Sequence, residues 1–144
     1  MRSFIAKPFA ELTGAQVYEI LKSRAEIFML EQNIRCLDMD DVDYRSIHCI
    51  LEESGRVVAY LRAFYDDANT VRIGRVLSLR HAEGLGTELM QKSLEYMKEN
   101  MPCQKISLHS QAYVSRFYEK FGFTAVSDTF YEEGIPHISM ELSL

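Results

Sequence analysis

The stretch Val76-Leu77-Ser78-Leu79-Arg80-His81-Ala82-Glu83-Gly84-Leu85-Gly86-Thr87 runs from an apolar strand through a glycine turn into a helix. Glycines permit positive φ and close backbone approach, so successive N–H groups can point outward at one anion. The helix that begins here adds a positive end of roughly +0.5 charge. Together these suit a pyrophosphate; the plainer reading is a flexible helix entry. Two familiar phosphate loops do not fit. A dinucleotide fingerprint needs a third glycine where Leu89 stands, and an acid ending the next strand, where His109 stands. A Walker loop needs Gly-Lys-Ser/Thr, and Gly86 is followed by Thr87 and Glu88.

Outward from this turn the chain alternates short strands and helices. Upstream, Thr70 to Ser78 reads as a strand whose Gly74 marks a bulge or a close backbone approach. Ile47 to Leu51 and Val57 to Phe64 read as a hairpin around Glu52-Glu53-Ser54-Gly55. Thr13-Gly14-Ala15-Gln16 is a capping box opening a helix that runs to about Glu31, and Phe4-Ile5-Ala6 is a brief opening strand. Downstream, Leu85, Leu89, Leu94 and Met97 keep helical spacing, and Pro102 comes after them. Lys105 to His109 alternates as a strand, and Val114 to Phe121 reads as a short helix stopped by Gly122. Ala125-Val126 and Ile138 to Leu142 close the chain as strands. The order β-α-β-β-β-α-β-α-β-β predicts one mixed α/β domain over 1–144, without repeats or linkers.

Composition narrows the class. With 144 residues, 47% apolar, 26% charged and 11% aromatic, the chain can bury a core without staples. No apolar run reaches the roughly 18 residues of a membrane helix, and the first residues lack the apolar region of a secretory signal. Cys36, Cys49 and Cys103 form no CxxC pair, so reduced thiols in the cytoplasm are expected. A net charge of −5 argues against a nucleic-acid partner and leaves room for a cationic one. The acidic run Asp38-Met39-Asp40-Asp41-Val42-Asp43 lacks the EF-hand glycine and glutamate, since Asp43 and Cys49 stand there. It reads as a solvated loop near an amine-binding side, and no metal site is expected.

His81-x-x-Gly84-x-Gly86 after an apolar strand resembles the acyl-CoA signature of the GNAT superfamily of N-acetyltransferases, Arg/Gln-x-x-Gly-x-Gly/Ala. Phe117-Tyr118-Glu119-Lys120-Phe121-Gly122-Phe123 resembles that superfamily's second signature, Tyr-x-x-x-Gly-Phe. Three further stretches are similar to the ElaA-like branch: Arg24-x-x-x-Phe28-x-x-Glu31-Gln32, Ser110-Gln111-Ala112-Tyr113, and Tyr131 through Met140 with Gly134-Ile135-Pro136-His137 inside it. His81 departs from the usual Arg or Gln, and the loop before it is about two residues short. The resemblance implies an α+β fold with a mixed sheet of six to seven strands and about four helices. A splayed strand pair would form the acyl-CoA cleft.

The resemblance also implies a chemistry: direct acetyl transfer from acetyl-CoA to a primary amine in a ternary complex. Val76, Leu77 and Ser78 would pair with the pantetheine amides. His81, Ala82, Glu83, Gly84, Leu85, Gly86 and Thr87 would cradle the pyrophosphate, and Gln111 would add a contact. The Leu77 backbone amide is the expected oxyanion donor. Tyr118 matches the superfamily's general acid, because a phenol stays protonated at pH 7 and can donate to a departing thiolate. Its competing reading is packing beside Phe117, Phe121 and Phe123. The base is open among Glu31, His48, His109 and His137; His137 precedes a strand and Glu31 ends the first helix. The implied acceptor is a small-molecule or peptide amine, with Glu132 and Glu133 adding negative charge near it. An acyl-CoA-binding regulator without catalysis is the alternative, and CoA release against an amine panel separates the two. A protein-interaction module is a third class. Exposed strand edges suit a monomer or a homodimer equally.

Overall fold

Alternating apolar side chains build one sheet, and the computed structural model describes residues 2–80 and 83–144. Among the described residues its strands are β1 (Arg2–Pro8), β2 (Ile47–Glu53), β3 (Arg56–Asp67), β4 (Thr70–Ser78), β5 (Lys105–Gln111), β6 (Thr124–Ala125), β7 (Phe130–Glu132) and β8 (Ile135–Ser143). The order is β1-β2-β3-β4-β5-β8-β6, and β7 shares the outer edge of β8 with β6. Only the central β4–β5 pair is parallel; the other pairings are antiparallel.

Three α-helices are described: α1 (Gly14–Arg24), α2 (Leu85–Asn100) and α3 (Ser115–Glu119). The capping box at α1 is complete. Gln16 N–H donates to Thr13 Oγ1 at 3.1 Å, and Thr13 N–H donates to Gln16 Oε1 at 2.9 Å. Past Arg24 the helix widens into a π-helical segment, Ala25–Glu31, closed by Gln32 N–H donating to the Ile27 carbonyl at 2.9 Å. The periodic run to Glu31 is therefore helical throughout, but its last turns hold an extra residue each.

Each sheet face has its own core. Leu85, Leu89, Met90, Leu94 and Met97 of α2 pack on one face with Val71, Ile73, Ile106, Leu108, Tyr118 and Phe123. Ile20 and Ile27, from α1 and its π-helical extension, cover the other face against Ile50, Val57, Tyr60 and Leu77. Each fully buried Leu or Met is worth about 1.5–3 kcal/mol, so α2 docks firmly.

A bulge in β4 sets which way the second half of that strand faces. Tyr60 opposes Leu77 and Arg62 opposes Gly74, so one β3 residue faces two on β4, and Arg75 takes φ +54°. The extra residue reverses the alternation. Val71, Ile73 and Val76 face α2, whereas Leu77 joins the α1 side. Gly74 thus flanks the bulge the sequence suggested.

The α+β class holds, with two corrections. Eight strands replace the expected six to seven, because Phe130–Glu132 is too short to read and pairs with β8 across Glu133-Gly134. Three α-helices replace about four, supplemented by the π-helical segment and 3-10 turns at Phe9–Glu11, Val42–Arg45 and Ala112–Val114.

Candidate active site

The parallel pairing of β4 with β5 covers only Thr70–Ile73 against Lys105–Leu108. Beyond Ile73 and Leu108 the strands continue to Ser78 and Gln111 unpaired with each other, leaving a gap in mid-sheet. Val76, Leu77 and Ser78 lie along it; Leu77 is buried, and Ser78 Oγ donates to the Arg80 carbonyl at 3.3 Å.

From the end of β4 the chain enters the glycine turn. His81 and Ala82 of the expected cradle lie outside the described residues. Glu83 is exposed and 3.6 Å from Arg80 Nε. Gly84 stands at φ +74° as N-cap, a conformation that a side chain would strain. The Glu88 N–H reaches the Gly84 carbonyl at 3.1 Å, so the N–H groups of Leu85, Gly86 and Thr87 precede the first intrahelical bond. Among the described residues these N–H groups have no backbone acceptor, and they and the helix dipole suit an anion. A Cβ at Gly86 would touch the Phe117 ring of α3 at 3.4 Å, so α3 packs directly over this turn. These residues fit the diphosphate that the sequence reading placed here.

Tyr118, next to Phe117, is buried in the α2-side core. Its ring meets Phe117 at 5.1 Å and Phe123 at 6.1 Å, both edge-on, so the packing expected of it is present. No hydrogen bond of its hydroxyl is found among the described residues. Burial pushes the phenol well above its ordinary value.

On the α1 side of the gap, β5, β7 and β8 bring together residues far apart in sequence. Gln111 pairs in register with His137, and Phe130 pairs with His137 from the other edge. Phe130 stacks on the His137 ring at 6.1 Å and meets the His109 ring edge-on at 5.1 Å. His137 Nδ1 lies 2.7 Å from the Ile135 carbonyl, an acceptor, so Nδ1 carries the hydrogen and Nε2 holds the lone pair of the neutral ring. Glu132 bridges the histidines, with Oε1 2.6 Å from His109 Nδ1 and Oε2 3.8 Å from His137 Nε2. Gln111 Nε2 donates to Gln32 Oε1 at 3.0 Å, which ties β5 to the end of the π-helical segment. Glu31, one residue earlier, is exposed there. Sequence reading named Glu132 only as diffuse charge and missed its bridging position, which depends on β7.

His48 stands elsewhere. Its Nε2 donates to the Asp43 carbonyl at 2.9 Å and its Nδ1 accepts from the Tyr60 hydroxyl at 2.6 Å, so both nitrogens are taken. Burial holds its imidazole below the ordinary value.

The acidic run is not the solvated loop expected. Asp38 receives Arg24 Nε and Arg75 Nε, each at 2.8 Å. Asp43 receives Arg24 Nη1 at 2.7 Å and Arg62 Nη1 at 3.1 Å. Asp40 takes both Arg62 terminal nitrogens, at 2.8 and 2.7 Å. Arg24 is fully buried. Its motif with Phe28 and Gln32 is therefore an anchor for the loop, and three of the loop's four aspartates are paired within the fold, Asp41 staying exposed. Arg62, by hydrogen bond and charge, holds the Asp40 carboxyl far below the usual range. For Asp43, burial pushes upward but Arg24 and Arg62 outweigh it, and the carboxyl stays depressed. Among the described residues, no group of three or more His, Cys, Asp or Glu could hold a metal.

Comparison with known proteins gives the family. The model of an acetyltransferase (GNAT) domain matches residues 21–144. ElaA of Escherichia coli K12 is 37% identical over 138 residues, covering 91% of this chain and 90% of ElaA. The Escherichia coli ElaA crystal structure has a TM-score of 0.93, covering 99% of this chain and all of that one. A UPF0039 protein of Schizosaccharomyces pombe is 35% identical over 145 residues, covering 98% of this chain and 97% of its own. The crystal structure of an acyl-CoA N-acyltransferase from Pseudomonas aeruginosa also has a TM-score of 0.93, at 30% identity, over 99% and 100% of the two chains. The gap between β4 and β5, the bare N-terminus of α2 and these relatives agree: the chain belongs to the GNAT acetyltransferase family, in its ElaA-like branch.

Proposed function

We propose that this single-domain protein is an acetyl-CoA-dependent N-acetyltransferase acting on a primary amine by direct attack in a ternary complex. The observation that carries the reading is the opening of the sheet after Ile73 and Leu108. Acetyl-CoA, when bound, supplies an electrophilic thioester carbonyl and a thiolate leaving group. The unpaired edge Val76-Leu77-Ser78 holds the pantetheine arm, with Gln111 opposite. The amides of the turn from His81 to Thr87 hold the diphosphate.

His137 Nε2 takes a proton from the incoming ammonium, freeing the nitrogen lone pair. An amine with an ordinary value near 10.4 is otherwise mostly protonated at pH 7. The new N–C bond forms as the C–S bond breaks, and a β4 N–H on the gap side, Val76 or Ser78, stabilises the carbonyl oxygen. The Leu77 N–H expected from the sequence turns to β3, because Leu79 N–H two residues on donates to the Val58 carbonyl at 2.8 Å. Tyr118 gives its proton to the departing sulfur and is reprotonated, through solvent, by the second proton that the nitrogen sheds as the amide forms; the proton held by His137 leaves to solvent. Net products are the N-acetylated amine, free CoA and one proton. Glu31, at the lip, guides the ammonium. The reaction runs as monomer or homodimer in a reducing cytoplasm.

A panel of amines assayed for free-thiol release tests the proposal. Amine-dependent thiol release supports it, and tight acetyl-CoA binding with no release for any amine points instead to a regulator.

A further inference from the structure

This inference rests on the transferase reading and concerns which amine the enzyme serves. Arg24, Arg62 and Arg75 are each held by Asp38, Asp40 or Asp43. Lys105 and Glu141, further along the face that carries His109, pair with each other at 3.1 Å. Arg72 differs. On β4, just before the strands part, it has no carboxylate within 4.0 Å among the described residues.

Its neighbour is the His109 ring, which offers its five donors one lone pair at most. Arg72 Nη2 lies 2.6 Å from His109 Nδ1 and 3.1 Å from Nε2. Glu132 Oε1 lies 2.6 Å from the same Nδ1. The carboxylate needs a hydrogen on that nitrogen and the guanidinium needs a lone pair, and one ring nitrogen offers only one of the two. With the Nδ1 hydrogen turned to Glu132, Nε2 at 3.1 Å can accept one Nη2 hydrogen, and the other four donors of the half-buried guanidinium meet no protein acceptor among the described residues. A planar carboxylate is its matched partner.

We propose that Arg72, with His109 behind it, is a carboxylate subsite, and that the acceptor is an α-amino acid or a close homologue. The acceptor's carboxylate pairs with Arg72. Its ammonium turns to Glu132, whose side chain is 44% exposed, beside the His137 Nε2 lone pair. Arg72 and Glu132 flank one ring nitrogen and so stand two hydrogen-bond lengths apart, roughly 5 Å. That spacing suits a zwitterion whose charged groups share one carbon. A polyamine, one form a cationic acceptor could take, would meet Arg72 as a like charge.

The test is a panel of α-amino acids, their carboxamides and their decarboxylated amines, each assayed for thiol release with acetyl-CoA. The free acids should have kcat/KM at least 10-fold above the matched amides and amines. Arg72→Gln should remove that advantage by raising the acids' KM about 10- to 100-fold, and Arg72→Lys should keep part of it. Equal turnover of acids and amides, or an Arg72→Gln effect that ignores the carboxylate, overturns the proposal. A binding arm needs no turnover: the imidazole NMR signals of His109 and His137 are followed as alanine or alaninamide is added with CoA present. Shifts with alanine alone, lost in Arg72→Gln, support the subsite; shifts with neither ligand, or with both alike, refute it. A panel without turnover would count against the transferase reading alone.

Discussion

Replacing Tyr118 with Phe separates packing from chemistry. The ring is buried, meets Phe117 and Phe123 edge-on, and its hydroxyl has no hydrogen bond among the described residues. Phenylalanine keeps every ring contact, so unfolding free energy should change by less than about 1 kcal/mol. If the hydroxyl protonates the leaving thiolate, its loss removes a general acid, a step worth about 10²–10³-fold in kcat. That corresponds to roughly 3–4 kcal/mol of barrier. Acetyl-CoA KM should stay within about twofold, since the diphosphate is proposed to bind α2 amides. Burial raises the phenol above its ordinary value of about 10, so it stays protonated through neutral and mildly alkaline pH. The deficit should therefore be constant from about pH 6 to pH 9. Thiol-release rates and a thermal melt of both proteins decide the matter. A Phe variant that turns over within twofold of the wild type refutes the role; so does one that loses activity only in step with its melting temperature.

Three further outcomes are expected from the geometry. Asp43→Asn leaves the fully buried Arg24 and the buried Arg62 facing a neutral amide, and should cost about 3 kcal/mol in urea unfolding, or roughly 10 °C in Tm. The folded-state values of Asp40, Asp43 and His48 are all lowered, so the unfolded chain binds more protons and stability falls as pH falls. Loss should begin below about pH 6.5 through His48 and continue below about pH 4 through the aspartates, with His48→Gln abolishing the first stage in pH-dependent urea titrations. Gly122→Ala forces a side chain onto φ +97° and sets Cβ 3.0 Å from Leu142, which should cost about 1–3 kcal/mol by the same assay. An unchanged midpoint would show that the backbone relaxes there.

The β4 bulge shapes the cleft itself. By adding one residue opposite Leu61 it reverses the faces of Val76 and Leu77, and the parallel pairing with β5 ends near the same level. The sheet stays continuous through β3 and β4 on one side and β5 and β8 on the other, so the gap opens inside a rigid frame. A cleft built in this way needs no moving lid to expose its backbone edge.

Local signals alone determined much of this protein. The capping box at Thr13 and Gln16, the spacing from Leu85 to Met97, and the Gly84 and Gly122 turns were legible because each depends on neighbours within a few residues. The two glycine signatures were legible as a family resemblance for the same reason. Tertiary structure alone decided what charge does. Asp38 through Asp43 looked solvated because their partners Arg24, Arg62 and Arg75 lie 14 to 37 residues away in sequence. Glu132 joins His109 across 23 residues, through a three-residue strand with no signal of its own. Backbone conformation is a local property, whereas the partner of a charged side chain is set by which strands the sheet lays side by side.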